Sequence, residues 1–201
     1  MKPIVTLLLT IGAAGCAGST PWVPLTPQPD PPPELTLVWV GRGECERLEG
    51  GAWVRVPELD YDFSVEQRRH GDRWSSVKSM RRRHPTYDGE AGERAQTYFF
   101  ELAIGPVGAD GKVQTQLRSS LGQGQGVTDP EFREAELEFL AEGVSSMAPF
   151  DRYRIRQRYD YEAGQLTETV ELNKGEAPWV RNREVATLFA ARRFEGAPTR
   201  R

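Results

Sequence analysis

The chain has 201 residues, with 26 basic against 29 acidic side chains and a formal net charge of −3 at neutral pH. That mild acidity gives no basic surface for nucleic acid or anionic lipid. Two cysteines and two histidines exclude a dense disulfide framework and limit metal and acid–base chemistry.

Lys2 supplies a short positive region, and Ile4, Val5, Leu7, Leu8, Leu9, Ile11, Ala13 and Ala14 follow as an apolar run broken by Thr10 and Gly12. The run falls short of the ~20 residues a membrane-spanning helix needs and fits the core of an export signal. Small residues, Ala13-Ala14-Gly15, lead into Cys16. This stretch resembles the precursors of bacterial lipoproteins, whose signal ends in a lipobox before an acylated cysteine; Ala13 stands where leucine is usual in that family. The resemblance covers residues 1–17 and implies cleavage after residue 15 and lipidation of Cys16 with diacylglycerol and an amide-linked acyl chain such as palmitate. Ala17, in place of aspartate after the cysteine, implies sorting to the outer membrane. Several chains on one residue anchor firmly where a single chain binds reversibly. Cleavage removes Lys2 and moves the net charge from −3 to −4, and lipidation of Cys16 leaves Cys45 as the other thiol, either buried as a small hydrophobe or paired with another molecule.

Residues 16–34 read as a tether. Seven prolines between Pro21 and Pro33 favour extended polyproline II, a spacer reaching ~40 Å. A single folded domain is expected over 35–196, with a short tail at 197–201; a body of about 160 residues buries roughly 70% of its unfolded surface.

The body opens with a strand at Leu35–Val40, and Glu49-Gly50-Gly51 leads to a second at Ala52–Val56. From Glu58 to Gln67 alternation is complete, Leu59, Tyr61, Phe63 and Val65 facing Glu58, Asp60, Asp62, Ser64 and Glu66 across the strand. A hairpin turn at His70–Arg73 sets Phe63 opposite Met80, Val65 opposite Lys78, Asp62 opposite Arg81 and Asp60 opposite Arg83. A loop over 85–93 precedes a strand at Arg94–Ile104. Asp110-Gly111 then turns the chain so that Ile104 meets Leu117 and Phe100 meets Leu121.

Gly122, Gly124 and Gly126 break the pattern, and Asp129 with Pro130 opens a predicted helix carrying Phe132, Ala135, Phe139 and Leu140 and closing at Gly143. Alternation over Ala135–Phe139 offers a strand as the competing reading. Asp151–Tyr161 alternates again, and a turn at Ala163-Gly164 sets Tyr161 against Leu166, Ile155 against Leu172 and Arg156 against Glu171. At the end, Asn182 caps a predicted helix to Arg193, with a strand over Glu184–Phe194 as the alternative. The fold class is therefore mainly β: a curved antiparallel meander, closing partly into a barrel, with one or two packing helices.

Candidate chemistry is thin. No serine-hydrolase elbow, zinc-helix motif, Cys-x-x-Cys or phosphate loop is present, His70 and His84 are expected in solvent, and no cofactor or metal is expected. Gly122-Gln123-Gly124-Gln125-Gly126 is similar in outline to a dinucleotide loop. Its third glycine comes one place early and its neighbours are antiparallel, so a connector is expected. Glu58, Asp60 and Asp62 could supply a carboxylate pair for hydrolysis, although the predicted register already neutralises two of them. Arg152, Arg154, Arg156 and Arg158 form an arginine stripe, either paired within the sheet or docking an acidic envelope partner. Gly51-Ala52-Trp53 resembles the G-x-W of lipocalins, which would imply a carrier of an apolar or lipid ligand; the late strands do not follow that family's order. The expectation is a lipid-anchored, non-catalytic binding or structural module of the cell envelope.

Overall fold

The computed structural model of the chain describes residues 34–85, 95–141 and 150–194. The signal sequence at 1–15, Cys16, the proline tether as far as residue 33, most of the 85–93 loop, Gly143 and the 197–201 tail lie outside the described residues.

Among the described residues the chain forms eleven strands and one short 3-10 turn. The strands are β1 (Leu35–Glu49), β2 (Ala52–Arg55), β3 (Tyr61–His70), β4 (Arg73–Arg82), β5 (Ala95–Val107), β6 (Val113–Ser119), β7 (Gly122–Thr128), β8 (Glu134–Ala141), β9 (Arg152–Asp160), β10 (Gln165–Lys174) and β11 (Ala177–Arg193). From β3 to β11 each strand pairs with the next, antiparallel. The long β1 closes the sheet, pairing with β11 along residues 35–47 and with β3 along 35–43. The result is a closed ten-stranded barrel, with β2 added as a ribbon on the last residues of β1. Closure removes the unpaired edges that an open meander would expose.

Period-two alternation drives the fold. Tyr61, Phe63 and Val65 on β3, Leu137 and Phe139 on β8, Tyr153, Ile155 and Tyr159 on β9, and Leu166, Val170 and Leu172 on β10 all point inward and are buried. Fully burying one such side chain is worth about 1.5–3 kcal/mol. Trp39, completely buried, packs against Tyr159 and Tyr161, and Phe132 joins Tyr159 to Trp74. These rings fill the end of the barrel where the chain enters at Glu34. Phe139 stacks on Tyr153 toward the opposite end.

The first predicted hairpin is present residue for residue: Phe63 pairs with Met80, Val65 with Lys78 and Asp62 with Arg81. The other two are displaced by two residues. Leu102 pairs with Leu117 and Ile104 with Thr115, because the ladder is irregular between Ile104 and Val107, where Pro106 has no N–H to donate. Tyr159 pairs with Leu166 and Ile155 with Val170, because residues 161–164 all belong to the turn. Asp160 Oδ1 accepts from Ala163 N at 2.9 Å within that turn, and Tyr161 donates its hydroxyl to Phe132 O at 2.9 Å. A two-residue shift keeps each side chain on its face, so the apolar lining survives.

Both predicted helices are strands. The Asp129-Pro130 signal caps a tight turn: Asp129 Oδ1 accepts from Arg133 N and Glu134 N, both at 2.6 Å, and Phe132 takes a positive φ of 57°. Beyond it β8 alternates, with Ala135, Leu137 and Phe139 inward and Glu134, Glu136 and Glu138 outward. The glycines before the turn continue the sheet as β7. A Cβ on Gly124 would lie 2.6 Å from Phe139 Cα, so glycine there lets β8 close on β7. The C-terminal segment is β11, the seventeen-residue strand that seals the barrel.

Candidate functional site

Among the described residues, three charged side chains at inward positions are enclosed in the core: Lys78 on β4, Glu168 on β10 and Glu184 on β11. All three are buried. On the inward parity of its strand Glu168 lies between Leu166 and Val170, Lys78 two places before Met80, and Glu184 two places before Ala186. The sheet's alternation therefore forces the charges into the lumen. Glu168 and Glu184 stand directly opposite each other in the β10–β11 ladder.

Lys78 binds both carboxylates. Its Nζ lies 2.8 Å from Glu168 Oε1, and 2.6 and 2.5 Å from the two oxygens of Glu184. The same ammonium sits 4.8 Å from the centre of the Phe63 ring, a favourable cation–π placement. Tyr61 donates its hydroxyl to Glu184 Oε1, and Gln157 donates its amide to Glu168 Oε2. The chain of bonds continues across the barrel. Gln157 Oε1 accepts from Tyr159 Oη at 3.3 Å, Tyr159 Oη accepts from Gln67 Nε2 at 2.8 Å, and Gln67 Oε1 accepts from Trp39 Nε1 at 2.8 Å. Eight side chains from six strands thus form one connected polar network through the core. Polar groups taken from water cost several kcal/mol unless so paired.

Glycine makes the far arm of the network fit. Tyr61 reaches from β3 over β1 to Glu184 on β11, and it crosses β1 at Gly43, whose Cβ position would fall within the Tyr61 ring, 2.7 Å from its hydroxyl oxygen.

Burial, Glu184 at its side, and Cys45 and Glu168 nearby hold the Tyr61 hydroxyl well above its ordinary range, and burial with Glu168 does the same to Tyr159. Lys78 is raised despite burial, because Glu168 and Glu184 favour its charged form. The carboxylates diverge. Burial opposes ionisation of both, but Lys78 and the Gln157 amide bring Glu168 below its usual value, while burial beside Glu168 pushes Glu184 up to about 7.

A cavity of about 50 Å³ adjoins the cluster, lined by Gln67, Lys78, Gln157, Glu168 and Glu184 among apolar neighbours. Pockets that enclose small organic ligands run about 300–1,000 Å³. The lumen is thus filled mainly by its own side chains and is roomy enough for a few waters.

The other sequence-predicted positions lie elsewhere. The arginine stripe is on the outer face of β9, paired with the acidic stripe of β8. Arg152 and Arg154 each bridge Glu138 and Glu176, Arg156 meets Glu136 and Arg158 meets Glu134, the last two loosely at 3.9 Å. The expected partner of Arg156, Glu171, instead stands opposite Arg154. On the acidic stretch, Glu58 sits in the 3-10 turn Pro57–Leu59, so the strand starts later than expected. Asp60 binds Arg55 at 2.9 Å, not Arg83, while Arg42 and Arg83 both lie near Asp62. No group of three or more potential metal ligands gathers among the described residues. Cys45 is buried and free, its Sγ 3.0 Å from Leu59 O, as expected of a packed thiol. Trp53 of the G-x-W triplet is on β2 beneath the Arg181 guanidinium, 4.3 Å from the ring centre. His70 and His84 are half-buried.

No protein-family model matches the chain, and no curated protein matches it either.

Proposed function

We propose that the chain is a lipid-anchored envelope protein, held at the outer membrane through Cys16, whose barrel serves as a non-catalytic binding or structural module. The observation that carries this reading is the filled lumen: about 50 Å³ beside a fully engaged charge cluster leaves the outer surface to do any macromolecular binding. The surface also argues for a body standing in water. Barrels that cross membranes carry an apolar outer band, whereas β8 and β9 present Glu134, Glu136, Glu138 and four arginines outward. Of that face, the groove between Glu134, Glu136, Arg156, Arg158, Thr167 and Thr169, about 260 Å³, is open enough to take an external partner.

A lipocalin-like carrier is the second reading, favoured by the closed meander itself. Lipocalin barrels have eight strands, whereas this one has ten and little free interior volume. Feeding a bacterium expressing the full chain with labelled fatty acid tests the anchor: label on the wild type and none on Cys16→Ser supports it, and label retained by the variant overturns it. Native mass spectrometry of the same gently extracted protein separates the readings. An apo mass supports the filled module, and a stoichiometric apolar ligand supports the carrier.

A further inference from the structure

We infer that Glu168 and Glu184 together hold one proton in the folded barrel, making the lumen a proton-binding site whose occupancy follows the pH of the surrounding compartment. The inference stands on a count of charges in a closed space. Two carboxylates face each other across the β10–β11 ladder, and like charges in that position repel. Lys78 is bound to both and supplies a single positive charge. The other charged and titratable groups that face the cluster do not supply a second one. On β4, Arg82 shares the parity of Lys78 but is engaged outside the pair, donating to Leu59 O and lying over the Tyr61 ring at 5.4 Å, with no ion pair to either carboxylate among the described residues. Tyr61 on β3, Tyr98 on β5 and Tyr159 on β9 are all held neutral by burial, as is the Cys45 thiol on β1. With both carboxylates ionised the lumen would carry one uncompensated negative charge, the condition that proteins relieve by binding a proton.

The same logic makes paired carboxylates in a shared site titrate as a unit, one early and one late. Here the asymmetry has a visible source. Each carboxylate has Lys78 and one further donor, Gln157 for Glu168 and Tyr61 for Glu184, but Glu184 is the more deeply buried of the two and faces the Glu168 charge. The proton therefore resides on the Glu184 side. The cavity beside the cluster, which Lys78, Gln157, Glu168 and Glu184 help to line, has room for water, and hence for protons, to reach it.

The sign of the pH dependence follows. Glu184 is raised, to about 7, so the stability it contributes is complete below its ordinary value of 4.5 and is lost as the pH rises through about 7. Glu168 is lowered, so its contribution is present above its ordinary value and fades only in stronger acid. The folding constant of the full-length wild type should fall on the order of a hundredfold between pH 5 and pH 8 through Glu184 alone.

The test is infrared spectroscopy of the full chain combined with urea unfolding at pH 5, 6, 7 and 8. The wild type should show the carbonyl band of a buried protonated carboxyl at pH 6, fading toward pH 8. Glu184→Gln should lack the band and most of the fall in folding constant. Glu168→Gln should also lack the band, since Lys78 then neutralises the remaining carboxylate one to one. No band in the wild type at pH 6, or an unchanged band or pH profile in Glu184→Gln, overturns the inference. If a variant does not fold, the wild-type band and its loss between pH 6 and 8 decide the matter.

Discussion

Lys78→Met is the sharpest probe of the lumen. Methionine nearly matches the lysine stem in volume and removes the ammonium that contacts three carboxylate oxygens within 2.8 Å. The remaining pair is buried, the Glu184 side chain being only 2% exposed, so neither carboxylate can recover its hydration. Removing one partner from a buried ion cluster costs about 3–5 kcal/mol, the cost arising mainly from the charges left behind. At pH 8 that lowers the folding constant by roughly two to three and a half orders of magnitude, a large part of a typical domain's stability. Urea unfolding followed by tryptophan fluorescence reads the change directly, because Trp39 is completely buried and tied to the network through Gln67.

Acid should rescue the variant. Without Lys78 both carboxyls are raised by burial, so their contribution to stability is intact in acid and lost as the pH climbs through their folded values. The deficit against wild type should therefore shrink markedly at pH 5. Adding Glu168→Gln and Glu184→Gln to Lys78→Met should restore most of the loss at pH 8, since the amides keep the Tyr61 and Gln157 contacts without charge. A Lys78→Met variant within about 1 kcal/mol of wild type at pH 8, or a deficit equal at both pH values, would refute the account of the cluster.

Gly43→Ala should cost about 1–3 kcal/mol in the same urea assay, as overpacking does, because the new methyl occupies the path of Tyr61 to Glu184; a neutral result would show that Tyr61 has another way round. Cys45, buried and pushed up to about 11, should resist a maleimide at pH 8 in the native protein and react fully once unfolded, which mass spectrometry of the labelled chain checks.

What the sequence made legible was which way each side chain faces. Antiparallel strands half in water alternate with period two, and β3, β5 and β9 carry that alternation openly in Phe63, Leu102 and Ile155 against Asp62, Glu101 and Arg154. Register was harder, since a slip of two residues preserves facing and only turn geometry distinguishes the alternatives. The 161–164 turn is fixed in part by the Tyr161 bond to Phe132, twenty-nine positions away. The helix expected after Asp129 drew on a genuine capping residue, but the capped group is a turn. The three glutamates alternating with Ala135, Leu137 and Phe139 carried the better signal, because their partners are the arginines of β9. The lumen charges went unread because a lone lysine or glutamate in a strand ordinarily marks the wet face. Lys78 departs from that rule through partners 90 and 106 residues on. A trace was present in Leu166-Thr167-Glu168-Thr169-Val170, where a glutamate sits on the apolar parity of its strand.

That misplaced parity also bears on how the barrel selects its closure. The cluster draws on β3 and β4 from one side of β1 and on β10 and β11 from the other, so it is complete only when β1 has joined both halves. In an open sheet Lys78, Glu168 and Glu184 remain hydrated at little cost. In a barrel closed two residues out of register at β1–β11, which keeps the parity of the lining, Asn182 or Ala186 would take the place of Glu184 opposite Gly43. Either slip moves Glu184 away from Lys78 and leaves Tyr61 without its acceptor. Either arrangement buries a polar group that the native register satisfies, at about 1–3 kcal/mol for a neutral group and more for a charge. The hydrophobic lining favours any closed barrel of the right parity; the buried charges favour this one.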